Sequence, residues 1–151
     1  IRSAVAAYIN SIDADTLTVL EKLDIKEFNK SRRMSAMFSN FARGRLQQKL
    51  MSALNWKGYD FVEVAPDYTS QVCPVCSHLD PANRNGKRFV CTCCGFEDDA
   101  DHVGSLNIKS RVDDKAISDL CKKYPYQHAA LQKGLKGLYA DRHAAWQTAS
   151  V

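Results

Sequence analysis

Residues 66–109, PDYTSQVCPVCSHLDPANRNGKRFVCTCCGFEDDADHVGSLNIK, decide the fold of the chain. They contain two Cys-x-x-Cys pairs, Cys73 with Cys76 and Cys91 with Cys94, and an acidic run follows. Two residues between paired cysteines let the backbone curl so that both sulfurs face one ion. Four thiolates in two pairs suit tetrahedral Zn²⁺, and such a closed site is structural because it leaves no position for water. The sequence therefore predicts a structural zinc site on these four cysteines.

The segment between the pairs is long enough for a hairpin out and back. It contains the turn formers Pro81, Asn83, Asn85 and Gly86, and residues 87–90 are predicted to return as a strand. Cys93 offers a competing register, but the two-residue spacing and the following Gly95 favour Cys94 as the ligand. Cys93 and Cys121 are then spare thiols. Reduced cysteines without metal, a disulfide, or His78 as a substitute ligand are the weaker alternatives.

Composition and charge allow one modest domain plus a zinc module in 151 residues, and no apolar run approaches membrane-spanning length. The net charge is +4, but residues 26–57 hold eight basic residues against one acidic residue. Cations can hold phosphates, although a solvated helix face is the alternative. The candidate nucleic-acid contacts are Arg32, Arg33, Arg43, Arg45, Lys49, Lys87 and Arg88.

Periodicity predicts helices over 1–9, 32–56, from about Ala100, and over 126–148, with strands over 16–23 and 60–65 and mixed structure over 113–125. The strand–helix–strand order implies a parallel pair with a right-handed connection, which is part of an α/β sheet. The apolar stripe of the second helix is expected to be core. It consists of Met34, Met37, Phe38, Phe41, Leu46, Leu50, Leu54 and Trp56.

The cysteine segment resembles the zinc ribbon and last acidic motif of the transposon-encoded TnpB (OrfB) proteins and of the related CRISPR type V effector nucleases. The resemblance is carried by VAPDYTSQVCPVCS and CTCCGFEDDADHVGSLNI. The segment TLTVLEKLD is similar to the second acidic motif of this family, in which a glutamate ends a hydrophobic strand. This chain departs from the pattern at Ser77, where the family usually has glycine, and at Val103 and Gly104.

The resemblance implies a RuvC-type nuclease site in which Glu21 and Asp101 are two of three carboxylates that hold Mg²⁺. The family's third carboxylate is an aspartate on an earlier strand, and Asp13 and Asp15 lie in a polar break instead. We therefore expect the chain, which begins at Ile1, to be the C-terminal piece of a larger effector. The implied partners are a guide RNA, the target DNA and the remaining N-terminal part of the effector, in a prokaryotic cytoplasm.

The predicted fold is a partial ribonuclease-H-like (RuvC) α/β sheet with an inserted four-cysteine zinc ribbon and a C-terminal helical tail. The predicted domains are a RuvC-like part over 1–71, the zinc ribbon over 72–96, the last acidic motif over 97–112 and the tail over 113–151. The predicted function is RNA-guided, Mg²⁺-dependent cleavage of DNA. The alternative is a nuclease-dead relative or a fragment that only binds nucleic acid or a partner.

Overall fold

A computed structural model describes residues 2–13, 15–22, 34–125 and 127–150, with the backbone alone described at residues 2 and 34–43. The chain forms two compact units, Ile1–Glu63 and Val64–Val151. Each unit has its own buried apolar cluster. Among the described residues, no helix combines the length and the apolar character needed to cross a bilayer.

The first unit is built from two helices and two short strands. These are α1 (Arg2–Ser11), β1 (Thr18–Glu21), α2 (Met34–Lys57) and β2 (Phe61–Val64). The helices pack through Val5, Ile9 and Leu54, since apolar residues at helical spacing bury one common face. Gly58, with φ of 69°, ends α2 in the left-handed conformation that favours glycine. Strands β1 and β2 pair in a two-stranded sheet.

The second unit is centred on a three-stranded antiparallel sheet of β3 (Arg84–Asn85), β4 (Arg88–Val90) and β5 (Glu97–Asp99). A 3₁₀ turn at Pro81–Asn83, capped by the side chain of Asp80, leads into β3. Strand β4 pairs with β5 so that Phe89 faces Asp98 across the ladder. Helix α3 (Ala100–Ser110) follows β5 without a loop.

The C-terminal tail is helical and packs on the ribbon. It consists of α4 (Lys115–Lys123) and α5 (His128–Ala149). Leu135 and Tyr139 of α5 are buried with Ile117 of α4 and with Val72, which directly precedes the first cysteine pair. Packing of this apolar stripe fixes α5 against the base of the hairpin. The sequence left open whether the tail packs on the core, touches nucleic acid or docks a partner.

The predicted helices over 1–9, 32–56 and 126–148 correspond to α1, α2 and α5, and their described ends differ by about two residues. Gly44 lies within the continuous helix α2, although glycine is a poor helix former. The structure shows a mixed α/β chain, but the short pair of β1 and β2 does not establish a ribonuclease-H-like sheet. The predicted loop over 24–31 lies outside the described residues.

The prediction that Trp56 belongs to the core stripe of α2 is wrong, because its side chain is 90% exposed. Leu54 is fully buried, and Trp56 lies two residues later. At about 100° per residue, two steps carry a side chain to the opposite face of the helix. Leu46 is also exposed, and the side chains of Met34, Met37, Phe38 and Phe41 lie outside those the structure describes.

Candidate metal centre and acidic motif

The four predicted cysteine ligands converge. The Sγ atoms of Cys73, Cys76, Cys91 and Cys94 all lie within 4.8 Å of one another. The Sγ–Sγ distances are 3.6 Å between Cys73 and Cys94 and 3.5 Å between Cys76 and Cys91. A disulfide requires about 2.05 Å, so these are separate thiols. Cys94 rather than Cys93 completes the set, as its spacing predicts, and Cys93 is exposed.

These distances fit zinc. Tetrahedral coordination with Zn–S bonds of about 2.3 Å places the sulfurs roughly 3.8 Å apart. The cluster needs only small adjustments to reach that geometry, and three of the four side chains are almost fully buried. The four thiols could hold one metal ion, and four sulfur ligands are typical of a structural zinc site.

Each Cys-x-x-Cys pair and the residue after it form a tight turn, called here the first knuckle (residues 73–77) and the second knuckle (residues 91–95). The two knuckles have the same backbone conformation at their ends. The amide of Ser77 donates to the carbonyl of Cys73 at 3.0 Å, and the amide of Gly95 donates to that of Cys91 at 3.0 Å. Both residues have positive φ, 59° at Ser77 and 75° at Gly95. Glycine adopts this conformation at little cost, whereas a residue with a Cβ is strained. The turn explains the glycine after Cys94, whereas Ser77 takes the same left-handed conformation with a Cβ and is therefore strained.

The protonation of the thiols depends on their surroundings. Burial raises the pKa of Cys73 to about 11 and also raises the pKa of Cys76. At Cys91 burial again opposes ionisation, but hydrogen bonds from the amides of Cys94 and Cys93 help bring the pKa below its ordinary value. Without a cation, buried thiolates would repel one another at these distances, so a divalent ion is the natural counter-charge.

Asn83 joins the two knuckles, a role that its description as a turn former missed. Its side-chain amide is 1% exposed. The Nδ2 atom donates to the carbonyls of Gln71 and His78 at 2.9 and 3.1 Å. Its Oδ1 atom accepts from the amide and hydroxyl of Thr92 at 2.9 and 3.1 Å. One fully bonded side chain thus holds the loop before the hairpin against the second knuckle.

The acidic run divides into different roles. Asp99 caps α3, and its side chain accepts from the amides of Asp101 and His102. Asp101 lies in the first turn of α3, where negative charge is favoured, and its carboxylate is 72% exposed. It accepts from Arg84 Nη2 at 3.1 Å. Asp99 and Asp101 are therefore not equivalent, as predicted from their spacing.

The first two acids of the run, Glu97 and Asp98, both have side-chain partners. Glu97 accepts from Arg88 Nε at 2.6 Å, and this bond lowers the pKa of the Glu97 carboxyl. Asp98 lies 2.7 Å from His102 Nδ1, and a hydrogen bond from the amide of Asp99 and another from His102 lower its pKa. Among the described residues of 64–151, no three carboxylates converge as the cysteines do.

Known proteins match this part of the chain. Residues 44–108 match the family described as Cas12f1-like, TNB domain. The CRISPR-associated endodeoxyribonuclease Cas12f1 of Sulfoacidibacillus thermotolerans is 35% identical over 89 residues, which cover 58% of this chain and 21% of that protein. A TnpB-like protein of Methanocaldococcus jannaschii is 32% identical over 102 residues, 66% of this chain and 34% of the relative.

Over these residues the chain is similar to the Cas12f1-like TNB family and to Cas12f1 and TnpB-like proteins. It spans about a fifth to a third of the length of these two relatives. A solved structure of CasPhi-2 (Cas12j) bound to crRNA and phosphorothioate-DNA covers 72% of this chain and 17% of its own, with 21% identity and a TM-score of 0.47. A likeness at that score does not assign the fold.

Glu21 is the last residue of β1, the strand end at which it was predicted. Its carbonyl accepts from Gln47 Nε2 of α2 at 2.6 Å. Glu21 belongs to the first compact unit and Asp101 to the second. Their joint role as Mg²⁺ ligands remains a prediction.

The basic residues predicted to contact nucleic acid fall into two groups. Arg45, Lys49, Lys87 and Arg88 are exposed, so their charges face solvent. Arg88 is paired with Glu97. Arg32 and Arg33 lie outside the described residues, and the side chain of Arg43 lies outside those described. Exposed cations can bind phosphates, and the role of these residues as nucleic-acid contacts remains a prediction.

Two buried residues that support the ribbon were not predicted as such. Asn107 of α3 donates to the carbonyls of Thr69 and Val72 at 2.8 and 2.9 Å, which anchors α3 below the first knuckle. Arg111, 3% exposed, donates to the carbonyls of Ala65 and Asp67 and to the hydroxyl of Tyr139. Residues 69–72 and the C-terminal half of α3 are therefore in direct contact.

Proposed function

We propose that the chain is the C-terminal nuclease portion of an RNA-guided DNA endonuclease. It cleaves phosphodiester bonds at a Mg²⁺-dependent RuvC-type site to which Glu21 and Asp101 contribute. The position of Asp101 carries this proposal. The zinc hairpin ends in β5, Asp99 caps α3, and Asp101 is presented in the first turn within the segment that matches the effector family.

The surroundings of Asp101 suit metal binding. Hard cations such as Mg²⁺ prefer carboxylate oxygens, and when bound they activate water and neutralise charge on the leaving oxygen. The Asp101 carboxylate is largely exposed, so it can meet an ion and a phosphate. Its pair with Arg84 is itself partly exposed, and such pairs contribute at most about 1 kcal/mol. Arg84 therefore does not prevent coordination, and once displaced it can pair with a substrate phosphate.

The proposed site also needs residues from elsewhere. In the proposal, Glu21 supplies a second carboxylate from the end of β1, and an aspartate outside this chain supplies the third. The four cysteines hold Zn²⁺ and keep the hairpin folded, which sets the start of α3 and hence the position of Asp101. The exposed basic residues of α2 and the hairpin bind phosphates of the DNA or the guide RNA.

The test uses the complete effector with its guide RNA. We expect Asp101→Asn to reduce the rate of DNA cleavage by at least about 10³-fold and to leave DNA binding unchanged, because the substitution removes a metal ligand without changing side-chain size. Asp113→Asn, at an exposed aspartate just beyond α3, is the matched control and should cleave normally. Full cleavage by the Asp101 variant would contradict the proposal.

The second candidate is a nuclease-dead protein that binds nucleic acid or a partner. The bond between Arg84 and Asp101 favours it, since a carboxylate with a cation already in place has less need of a metal. The same experiment separates the two functions. If the parent effector and the Asp113→Asn control both bind guide and target but do not cleave DNA, the protein belongs to this second class.

A further inference from the structure

His143 of α5 lies against the first cysteine knuckle in an orientation typical of a metal ligand. Its Nδ1 atom is 2.8 Å from the carbonyl oxygen of Cys76. A carbonyl oxygen accepts only, so Nδ1 carries a proton, and in the neutral imidazole Nε2 keeps its lone pair. Histidines that bind metals usually donate their other ring N–H in this way, because the bond fixes the tautomer and the ring orientation.

The ring of His143 is further fixed by its neighbours. The indole of Trp146 stacks parallel to it, with centroids 6.1 Å apart and an interplanar angle of 11°. The ring of His78 lies 4.8 Å away at 51°. These contacts limit rotation about the side-chain bonds of His143. Binding of a metal by Nε2 would therefore cost little further side-chain entropy.

The free lone pair of His143 faces a thiol that the four-cysteine site leaves unused. Nε2 is 3.7 Å from the Sγ atom of Cys93, which is exposed. The Sγ atom of Cys76 completes the group, and the three potential ligand atoms lie within 4.8 Å of one another. His143 of the helical tail and Cys93 of the second knuckle thus both lie near the Cys76 sulfur of the first knuckle.

The distance between Cys93 Sγ and His143 Nε2 fits coordination of one metal ion. Bonds of about 2.3 Å to sulfur and 2.05 Å to nitrogen at a tetrahedral angle put the two ligand atoms roughly 3.6 Å apart. The observed separation of 3.7 Å matches without movement. Two sulfurs and one imidazole nitrogen are a ligand set for a borderline or soft ion rather than for Mg²⁺.

We propose that Cys93, His143 and Cys76 form a second metal site, for Zn²⁺ or a similar thiophilic ion, beside the four-cysteine site. The thiolate of Cys76 bridges the two ions, since a thiolate sulfur has lone pairs for both. The second site has three protein ligands and a fourth position open to solvent, so its ion exchanges faster than the enclosed one. This inference is independent of the nuclease function.

Native mass spectrometry of the full-length protein, titrated with Zn²⁺ after removal of metal, tests the proposal. We expect the parent protein to bind two ions per chain, with the second binding more weakly. Cys93→Ser should bind one. His143→Gln should also bind one; glutamine can still donate to the Cys76 carbonyl, so the contact between α5 and the knuckle is kept. Cys121→Ser, which changes a cysteine outside both sites, should bind two.

A second measurement guards against a folding defect. Because Cys93 is exposed, its thiol should be alkylated by iodoacetamide in the one-ion form and protected in the two-ion form. Binding of a single ion by the parent protein, or of two ions by Cys93→Ser, would overturn the proposal. Equal alkylation of Cys93 with one and with two equivalents of Zn²⁺ would overturn it as well.

Discussion

Ser77 and Gly95 occupy equivalent positions in the two knuckles, directly after the second cysteine of each pair, and both have left-handed backbones. A non-glycine residue in this conformation costs roughly 1 kcal/mol relative to glycine. A Cβ added at Gly95 meets nothing within 4 Å, so a substitution there tests backbone strain alone.

We therefore predict opposite effects from two exchanges. Ser77→Gly should raise the free energy of unfolding by about 1 kcal/mol, and Gly95→Ser should lower it by about the same amount. Urea denaturation of the metal-loaded protein measures both. Changes of the same sign in the two variants would show that the turns are not equivalent.

The sequence predicts the single residues of the site unevenly. Cysteine spacing identifies the four ligands, because two intervening residues are a local geometric requirement. Asn83 and Asn107 act through hydrogen bonds to carbonyls distant in sequence, Gln71 and Thr69 among them. No local pattern encodes such partners. Asn83 was therefore identified only as a turn former, and Asn107 only as part of a family motif.

At the scale of elements, α4 and α5 pack closely where Gly134 of α5 faces Leu120 of α4. A Cβ added at Gly134 would lie 2.9 Å from Leu120 Cδ2 of α4, whereas one at Gly137 meets nothing within 4 Å. The sequence shows two glycines that weaken α5, but only the structure shows that Gly134 gives α4 room to approach.

Alanine substitutions should separate these two glycines. Gly137→Ala should stabilise the protein by about 0.5–1 kcal/mol, through helix propensity alone. Gly134→Ala should stabilise the protein less than Gly137→Ala does, or should destabilise it, because the Leu120 side chain must rotate away. Thermal unfolding of both variants, followed by circular dichroism, makes the comparison. Equal gains would mean that the contact between Gly134 and Leu120 is not tight.

A second link between the tail helices is electrostatic. Asp114 caps α4 by accepting from the amide of Ile117, and both of its oxygens accept from Arg142 of α5 at 2.7 and 2.8 Å. Burial of Asp114 opposes its ionisation, but these hydrogen bonds outweigh that effect. The pKa of the carboxyl therefore lies below its ordinary value of 3.8.

This pair predicts a pH dependence. A lowered pKa in the folded state means that the carboxylate stabilises the protein above pH 3.8, and that this contribution is lost as the pH falls below 3.8 through the folded-state pKa. Asp114→Asn, which keeps an N-cap side chain, should cost about 1 kcal/mol at pH 7. The difference from the parent protein should shrink below pH 3.8. A difference that stays constant to pH 2 would contradict the assignment.

The sequence predicts long elements well and short ones poorly. Helices α1, α2 and α5 are long enough for the repeated spacing of their apolar residues to be recognised in the sequence. Strand β5 has three acidic residues, Glu97–Asp99, whose pairing with β4 is set by the tertiary fold. Helix α4 lies in a segment interpreted as mixed. In contrast, the exposure of Trp56 could be predicted from the sequence, because a residue two positions after the core residue Leu54 lies on the opposite face of the helix.

At the scale of the whole molecule, the metal should determine whether the second unit folds. Its sheet is short, and three of the four cysteines belong to one of its buried clusters with Phe89, Ala100 and Val103. Free energy of metal binding is also folding free energy in small sites of this kind. Residues 1–63 contain no cysteine and do not depend on the ion in this way.

We predict that chelation of the metal exposes residues 73–94 to proteolysis, whereas the helical signal of α1 and α2 persists. Limited proteolysis with mass mapping of the fragments checks this. Cys76→Ser should reproduce the effect without chelator, and Cys121→Ser should not. Resistance of the hairpin to protease after complete metal removal would show that packing alone maintains it.

The exposed Trp56 has an optical consequence. The chain has only two indoles, and their environments differ: Trp56 is almost fully in water, whereas Trp146 is half-buried and stacks on His143 beside the cysteine cluster. The emission of Trp56 should be red-shifted and readily quenched by collisional quenchers. The emission of Trp146 should change on metal binding, because the neighbouring His143 ring lies beside the cysteine cluster. The molecule therefore contains two tryptophan fluorophores, one in each compact unit, that can be observed separately without any added dye.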